Sequence, residues 1–334
     1  MDPLQDPIYD LLTEPLALKD GPISLKALAS TQLYLKLGHP GLDKALGGGF
    51  PSKCLTEIFG RSSAGKTQIA LQLCVTAQLP ISSGGLGKGA IYIATEREFP
   101  VNRFTQIAKS WLHKFPPQTT LEDVNLNVKT ILRHDLSMLL SVLQQLPNTL
   151  DLSQMGLLIL DSIAAPFLGE VLPGRRKALT SLAHELQSLA HKYSLVVVCI
   201  NQVTEVIRPQ ALHAPDPSMY TSELEMNPIQ LPPGVKLTLG GQVNDPTKLS
   251  YQPALGLAWS NLINARILVS RCQSGSLRDN DNSSLSLPTS LKNVGSRRKL
   301  VTCACPWAPP ASAHFYITAD GLQDAEPEAE ALIS

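Results

Sequence analysis

At 334 residues, with 43% hydrophobic and 17% charged side chains, the chain has a globular composition and enough length to bury a sizeable core. Lysine plus arginine and aspartate plus glutamate stand at 28 each, a zero formal balance that argues against tight wrapping of nucleic acid by this chain alone. No apolar run reaches the length of a membrane span, and the acidic start Met1-Asp2-Pro3-Leu4-Gln5-Asp6 is unlike a signal peptide, so the expectation is an intracellular protein with no membrane partner.

Residues 1–35 hold short apolar stretches (Ile8, Leu11, Leu12; Leu16, Leu18) broken by Pro3, Pro7, Pro15 and Pro22, and read as a lead-in too small for its own core. Ile23, Leu25 and Ala27 alternate there as one short strand that would suit another subunit. A short helix opening into Gly47-Gly48-Gly49 comes next, then a strand at 54–59 and a helix at 67–77. Beyond a Ser/Gly connector at 82–89, the pattern predicts a buried strand at 90–94 and a helix at 102–114 stopped by Pro116-Pro117. Strands at 128–132, 157–161 and 195–200 then alternate with helices at 135–146 and 177–193. Such alternation, with strands apolar on both faces, predicts an α/β fold: a mainly parallel sheet covered by helices on both faces.

The periodicity lapses over about 207–252, where prolines and glycines predict a flexible loop, and again in the Ser/Asn/Asp-rich stretch 273–296, which reads as a flexible insertion. Strands at 266–270, 299–303 and 314–318 resume the pattern, giving one core over 36–322 and a loose acidic tail at 323–334. Six cysteines (Cys54, Cys74, Cys199, Cys272, Cys303, Cys305) are scattered, and Cys303-Ala304-Cys305 lacks a second pair at zinc spacing.

One loop carries the clearest chemistry. Gly60-Arg61-Ser62-Ser63-Ala64-Gly65-Lys66-Thr67 reads G-x-x-x-x-G-K-[ST], between a predicted strand and a predicted helix. Gly60 and Gly65 let consecutive N–H groups turn into an anion-binding nest. Lys66 would set a cation against the β- and γ-phosphates of ATP, and the Thr67 hydroxyl is placed to ligate Mg2+. The helix start adds the positive end of its dipole.

Other candidates fall at strand ends. Asp161 closes the apolar run Leu157-Leu158-Ile159-Leu160, as expected of a carboxylate that serves Mg2+ directly or through water; a capping role for the next turn is the plainer alternative. Glu96 ends the strand after the loop helix and would orient and deprotonate an attacking water, unless it is only a solvated terminus. Gln202 would sense the γ-phosphate or merely cap its loop. Arg175-Arg176-Lys177 would touch DNA phosphates or simply begin a helix, and Arg297-Arg298-Lys299 reads more easily as a strand flank.

These stretches, in this order, resemble the RecA-like recombinases, and within them the eukaryotic paralogue branch. The resemblance rests on residues 38–68, 91–99, 157–167, 196–205 and 253–271 and on His314-Phe315-Tyr316-Ile317-Thr318 with Gly321. It implies a RecA-like P-loop core in which Gly60 to Thr67 and Gln202 contact ATP, Lys66 and Glu96 act catalytically, and Thr67 and Asp161 serve Mg2+. The two DNA-binding loops would fall at about 168–179 and 203–253. It further implies a nuclear protein of homologous recombination, partnered by another paralogue of the C type, the main strand-exchange recombinase, and single-stranded or branched DNA. The second loop is long and poor in Lys and Arg, the N-terminal segment is short for the family's helical DNA-binding domain, and no clear Phe-x-x-Ala motif is present. These departures favour an accessory subunit, either a DNA-dependent ATPase or a nucleotide-gated interaction subunit that hardly hydrolyses ATP.

Overall fold

The computed structural model describes residues 32–167, 174–206, 250–272 and 296–325. The chain divides into two units, Met1–Leu33 and Tyr34–Ser334. Most of the expected lead-in, nearly all of the long loop, all of the insertion but Ser296 and most of the acidic tail lie outside the described residues.

In chain order the elements are β1 (Tyr34–Leu35), α1 (Pro40–Ala45), β2 (Phe50–Pro51), β3 (Cys54–Phe59), α2 (Lys66–Thr76), β4 (Gly89–Ala94), α3 (Val101–Trp111) and α4 (Leu121–Leu126). They continue with β5 (Val128–Leu132), α5 (Leu136–Thr149), β6 (Met155–Asp161), α6 (Arg175–Tyr193) and β7 (Val196–Asn201). Last come β8 (Val203–Val206), β9 (Ser250–Pro253), α7 (Gly256–Ser260), β10 (Ala265–Arg271), β11 (Arg298–Ala304), β12 (Ser312–Thr318) and β13 (Gly321–Asp324).

Nine strands form one sheet in the order β13-β12-β11-β10-β3-β7-β6-β4-β5. From β10 to β5 every pairing is parallel, and β10 to β13 form an antiparallel end. The central strands read as unbroken apolar runs because both faces are covered. Successive residues alternate between two cores. Leu157 and Ile159 pack with Ile69, Leu73, Phe104 and Ile107 of α2 and α3, while Leu158 and Leu160 pack with Leu143, Leu182 and Leu186 of α5 and α6. The chain is thus α/β with a mainly parallel sheet, as its apolar pattern predicts. Among the described residues no helix is long and apolar enough to cross a membrane.

Local features differ from the sequence reading at several points; at the ends of the stretch expected to be a loop, β8 and β9 pair as an antiparallel ribbon. Helix α4 stands where no element is expected; Thr120 and Asp123 close a capping box at its start, each side chain satisfying the other residue's backbone N–H. Helix α6 begins at Arg175 rather than 177, so Arg175, Arg176 and Lys177 form its first turn. The sheet also extends into the stretch expected to be loose: Gly321–Asp324 is an edge strand paired with β12. Its last residue ties back to the start of the fold, Asp324 accepting the N–H groups of Gly41 and Leu42 at 2.7 and 3.1 Å.

Candidate functional site

Strand β3 delivers Gly60 to the carboxyl edge of the sheet, and α2 opens at Lys66. Glycine is needed at two points of the loop between them. A β-carbon at Gly60 would stand 2.0 Å from the carbonyl oxygen of Val269. Gly65 adopts a φ of 113°, and a β-carbon there would meet Ile317 Cδ1 at 2.9 Å. Ala64 is buried beneath the loop, whereas Arg61, Ser62 and Ser63 are exposed. Lys66 is almost wholly buried, and its Nζ donates to the carbonyls of Gly60 at 2.7 Å and Arg61 at 2.9 Å. Burial pushes its pKa down, and the nearby Asp161 and Glu96 carboxylates oppose the shift.

Asp161 stands at the end of β6, between the ends of β4 and β7. Its Oδ2 accepts two hydroxyls, Thr67 Oγ1 at 2.8 Å and Tyr92 Oη at 2.6 Å. Burial raises the Asp161 pKa, while those two hydrogen bonds favour the carboxylate and limit the rise. The same burial pushes the Tyr92 phenol up, so it remains a hydrogen-bond donor at neutral pH.

Glu96 is held from two sides: its Oε1 accepts Ser162 Oγ at 2.5 Å and Gln202 Nε2 at 2.6 Å. Ser162 is itself fixed by Thr95, whose hydroxyl donates to the Ser162 carbonyl at 2.7 Å and accepts the Ser162 N–H at 2.8 Å. Gln202 sits between β7 and β8, the strand that opens the long loop and pairs with β9 where the described chain resumes. Just before it, Asn201 donates Nδ2 to the fully buried Glu57 at 2.6 Å, and Arg266 Nε bonds the other oxygen of Glu57 at 2.8 Å.

Lys66, Thr67, Tyr92, Glu96, Asp161 and Gln202 line one cleft of about 680 Å³, with Ser62, Ser63, Gly65, Arg103 and Arg298 also on its wall. Sequence reasoning brought together Gly60 to Thr67, Glu96, Asp161 and Gln202, and missed Tyr92, Ser162, Arg103 and Arg298. A buried tyrosine in a strand of aliphatic residues was the available signal for Tyr92, since its hydroxyl needs a partner. Arg175, Arg176 and Lys177 do not line the cleft; Arg176 and Lys177 are exposed.

The donor set fits a magnesium nucleotide. Lys66 has only neutral carbonyls as hydrogen-bond partners in a loop built for anions. Thr67 and Asp161 supply one hydroxyl and one carboxylate, the sparse protein set that Mg2+ takes when phosphates complete its shell. Among the described residues no cluster of three His, Cys, Asp or Glu side chains is present that would suit a self-contained metal cage.

Comparison with protein families matches the Rad51 family over residues 29–219. The DNA repair protein XRCC3 of Bos taurus is 33% identical over 86% of this chain and 74% of its own length. DNA repair protein rhp57 of Schizosaccharomyces pombe is 32% identical over 77% of this chain and 74% of its own length. The DNA repair protein XRCC3 homolog of Arabidopsis thaliana is 29% identical, covering 90% of this chain and 96% of the plant protein.

Proposed function

Since the chain belongs to the Rad51 family, as an XRCC3-like RecA-family recombinase paralogue with a role in DNA repair and recombination, we propose that it is the ATP- and Mg2+-binding subunit of a paralogue complex. The complex acts in the nucleus, in homologous recombination at double-strand breaks. It contains a second paralogue, of the C type, and assists the main strand-exchange recombinase on single-stranded or branched DNA.

The observation that carries the reading is the convergence of Lys66, Thr67, Asp161, Glu96 and Gln202 on one cleft at the carboxyl edge of the sheet. The loop N–H groups and Lys66 bind phosphates, while Thr67 and Asp161 hold Mg2+, which when bound neutralises phosphate charge. Glu96 accepts the proton of a water that it also orients. The contact between Gln202 and Glu96 links the state of the cleft to β8 and so to the long loop.

At Arg175, Arg176 and Lys177, three cations occupy the first turn of α6, which carries no acidic residue. The helix dipole disfavours cations there, so stability alone does not account for the cluster, and a phosphate of DNA would offset its charge. The purified complex with single-stranded DNA should hydrolyse ATP, and Lys66→Ala in this subunit should remove its share; equal turnover by both would refute the reading.

A second reading, a nucleotide-gated subunit with negligible hydrolysis, is favoured by one observation: Glu96 Oε1 is occupied by both Ser162 and Gln202, as a structural carboxylate would be. Repair-deficient cells distinguish the two. Rescue by Glu96→Gln but not by Lys66→Ala supports the gate, and failure of both supports the ATPase.

A further inference from the structure

The basic cluster Arg297-Arg298-Lys299 is left unused by the phosphate-loop reading. Strand β11 begins at Arg298, and the residue directly opposite it on β10 is Arg271. Like charges facing each other across an antiparallel pair are unfavourable. Among the described residues neither member of this arginine pair has a carboxylate at ion-pair distance. Both are tied to one serine instead: Arg298 Nη1 donates to the Ser296 carbonyl at 2.7 Å, and Arg271 Nε donates to Ser296 Oγ at 3.0 Å. The Nε of Arg298 is buried with no acceptor, an arrangement that costs stability. Burial, and next the charge of Arg271, both weaken the hold of Arg298 on its proton, so an anion nearby would relieve it.

Arg298 lies against the phosphate loop. A β-carbon on Gly65 would fall 3.2 Å from its Cδ and 3.3 Å from its Nε, so the guanidinium stem rests on the glycine just before α2. Arg298 also lines the cleft that contains Lys66 and Thr67. Arg298, one half of a like-charge pair, thus lines the cleft and rests on an anion-binding loop, where a phosphate group would offset its charge.

We propose that Arg298, backed by Arg271, is a further phosphate-binding residue of the nucleotide site, supplied by β11 of the same chain. The proposal rests on the ATP reading above. Arginine suits the task because its planar fork holds phosphate through several N–H donors while its stem packs on the loop. Arg298→Gln removes the charge and relieves the pair with Arg271; Arg298→Lys keeps the charge and loses the fork.

The test is calorimetric titration of the full chain, in its purified complex, with ATP and with ADP in the presence of Mg2+, alongside melting of the unliganded protein. Arg298→Gln should weaken both nucleotides about tenfold, Arg298→Lys should recover part of that loss, and the unliganded melting temperature should hold or rise. Wild-type affinity in Arg298→Gln overturns the proposal. A fall in unliganded melting temperature that accompanies the affinity loss assigns Arg298 a purely structural role and also overturns it. Lys66→Ala separates the two levels: if it binds ATP as well as wild type does, the ATP reading itself fails. An effect at Lys66 with none at Arg298 removes this proposal alone.

Discussion

Gln202 and Glu96 are hydrogen-bonded side chain to side chain, the amide Nε2 donating to the carboxylate Oε1 at 2.6 Å across 106 positions of sequence. The bond joins a carboxylate on the wall of the cleft to the residue between β7 and β8. In the proposed function this one hydrogen bond would link occupancy of the cleft to the position of β8. A ligand that draws Glu96 away frees the amide, and a shift of β8 frees the carboxylate.

Breaking that link from either side should give different losses. Gln202→Ala leaves the phosphate loop intact, so ATP affinity should stay within about threefold of wild type while any stimulation by single-stranded DNA disappears. Glu96→Gln removes the proposed base, and hydrolysis by the complex should drop about 100-fold or more with binding retained. Steady-state hydrolysis with and without DNA, set beside equilibrium binding, checks both.

Tyr92 should govern the metal rather than the phosphates. Its hydroxyl and that of Thr67 share Asp161 Oδ2, which keeps the partly buried carboxylate charged and oriented. Tyr92→Phe deletes one charged hydrogen bond, worth about 1.5–3 kcal/mol, and lets burial raise the Asp161 pKa further. The Mg2+ concentration for half-maximal ATP binding should rise about tenfold, with binding measured in EDTA unchanged.

The parts of this site legible in sequence are those encoded by neighbours. Gly60 to Thr67 is a contiguous motif, and the edge carboxylates Glu96 and Asp161 announce themselves by ending apolar runs. The supporting contacts are not contiguous: Tyr92 meets Asp161 over 69 positions, and Asp324 caps Gly41 over 283. Nothing local distinguishes Asp324 from the acidic residues that follow it, so the end of strand β13 read as part of a tail. Helix α4 was legible in principle, through its Thr120/Asp123 capping box, but at six residues it shows too little periodicity to stand out. For Arg298 the signal was present as a basic cluster, and only the fold shows that its cleft is the one behind the phosphate loop.

The Asp324 contact carries its own prediction. Its two oxygens bond the N–H groups of Gly41 and Leu42 at the start of α1, whose N-cap residue His39 makes no side-chain cap bond. Asp324→Ala should cost about 1–2 kcal/mol in urea unfolding, the range for a lost cap, and Asp324→Asn should recover part of it.

His39 makes stability depend on pH. Its ring packs edge-to-face on Trp111 at 5.6 Å, and its buried Nε2 has no hydrogen-bond partner. Burial lowers its pKa below the ordinary 6.5, with Asp324 opposing and Lys114 assisting. The unfolded chain then takes up this proton more readily than the folded one, so stability from the neutral ring is complete above about 6.5 and is lost as pH falls from there toward the folded pKa. Urea midpoints should decline between about pH 7.5 and 5.5, and His39→Gln should flatten that slope. An unchanged slope in the variant would assign the decline to other groups.

Glu57 has no exposed surface and its Arg266 partner little; they join β3, which leads into the phosphate loop, to its parallel neighbour β10. Asn201 completes the cluster one residue before Gln202, so the charge pair anchors the end of β7 from which the amide projects. Removing one partner of a buried pair strands the other. Glu57→Gln or Arg266→Met alone should therefore destabilise the fold by about 3–5 kcal/mol, while the double variant should be milder than the sum. If the cluster also sets Gln202, both single variants should uncouple DNA from hydrolysis at temperatures where they remain folded. Circular dichroism at the assay temperature, combined with hydrolysis measured with and without DNA, separates that effect from simple unfolding.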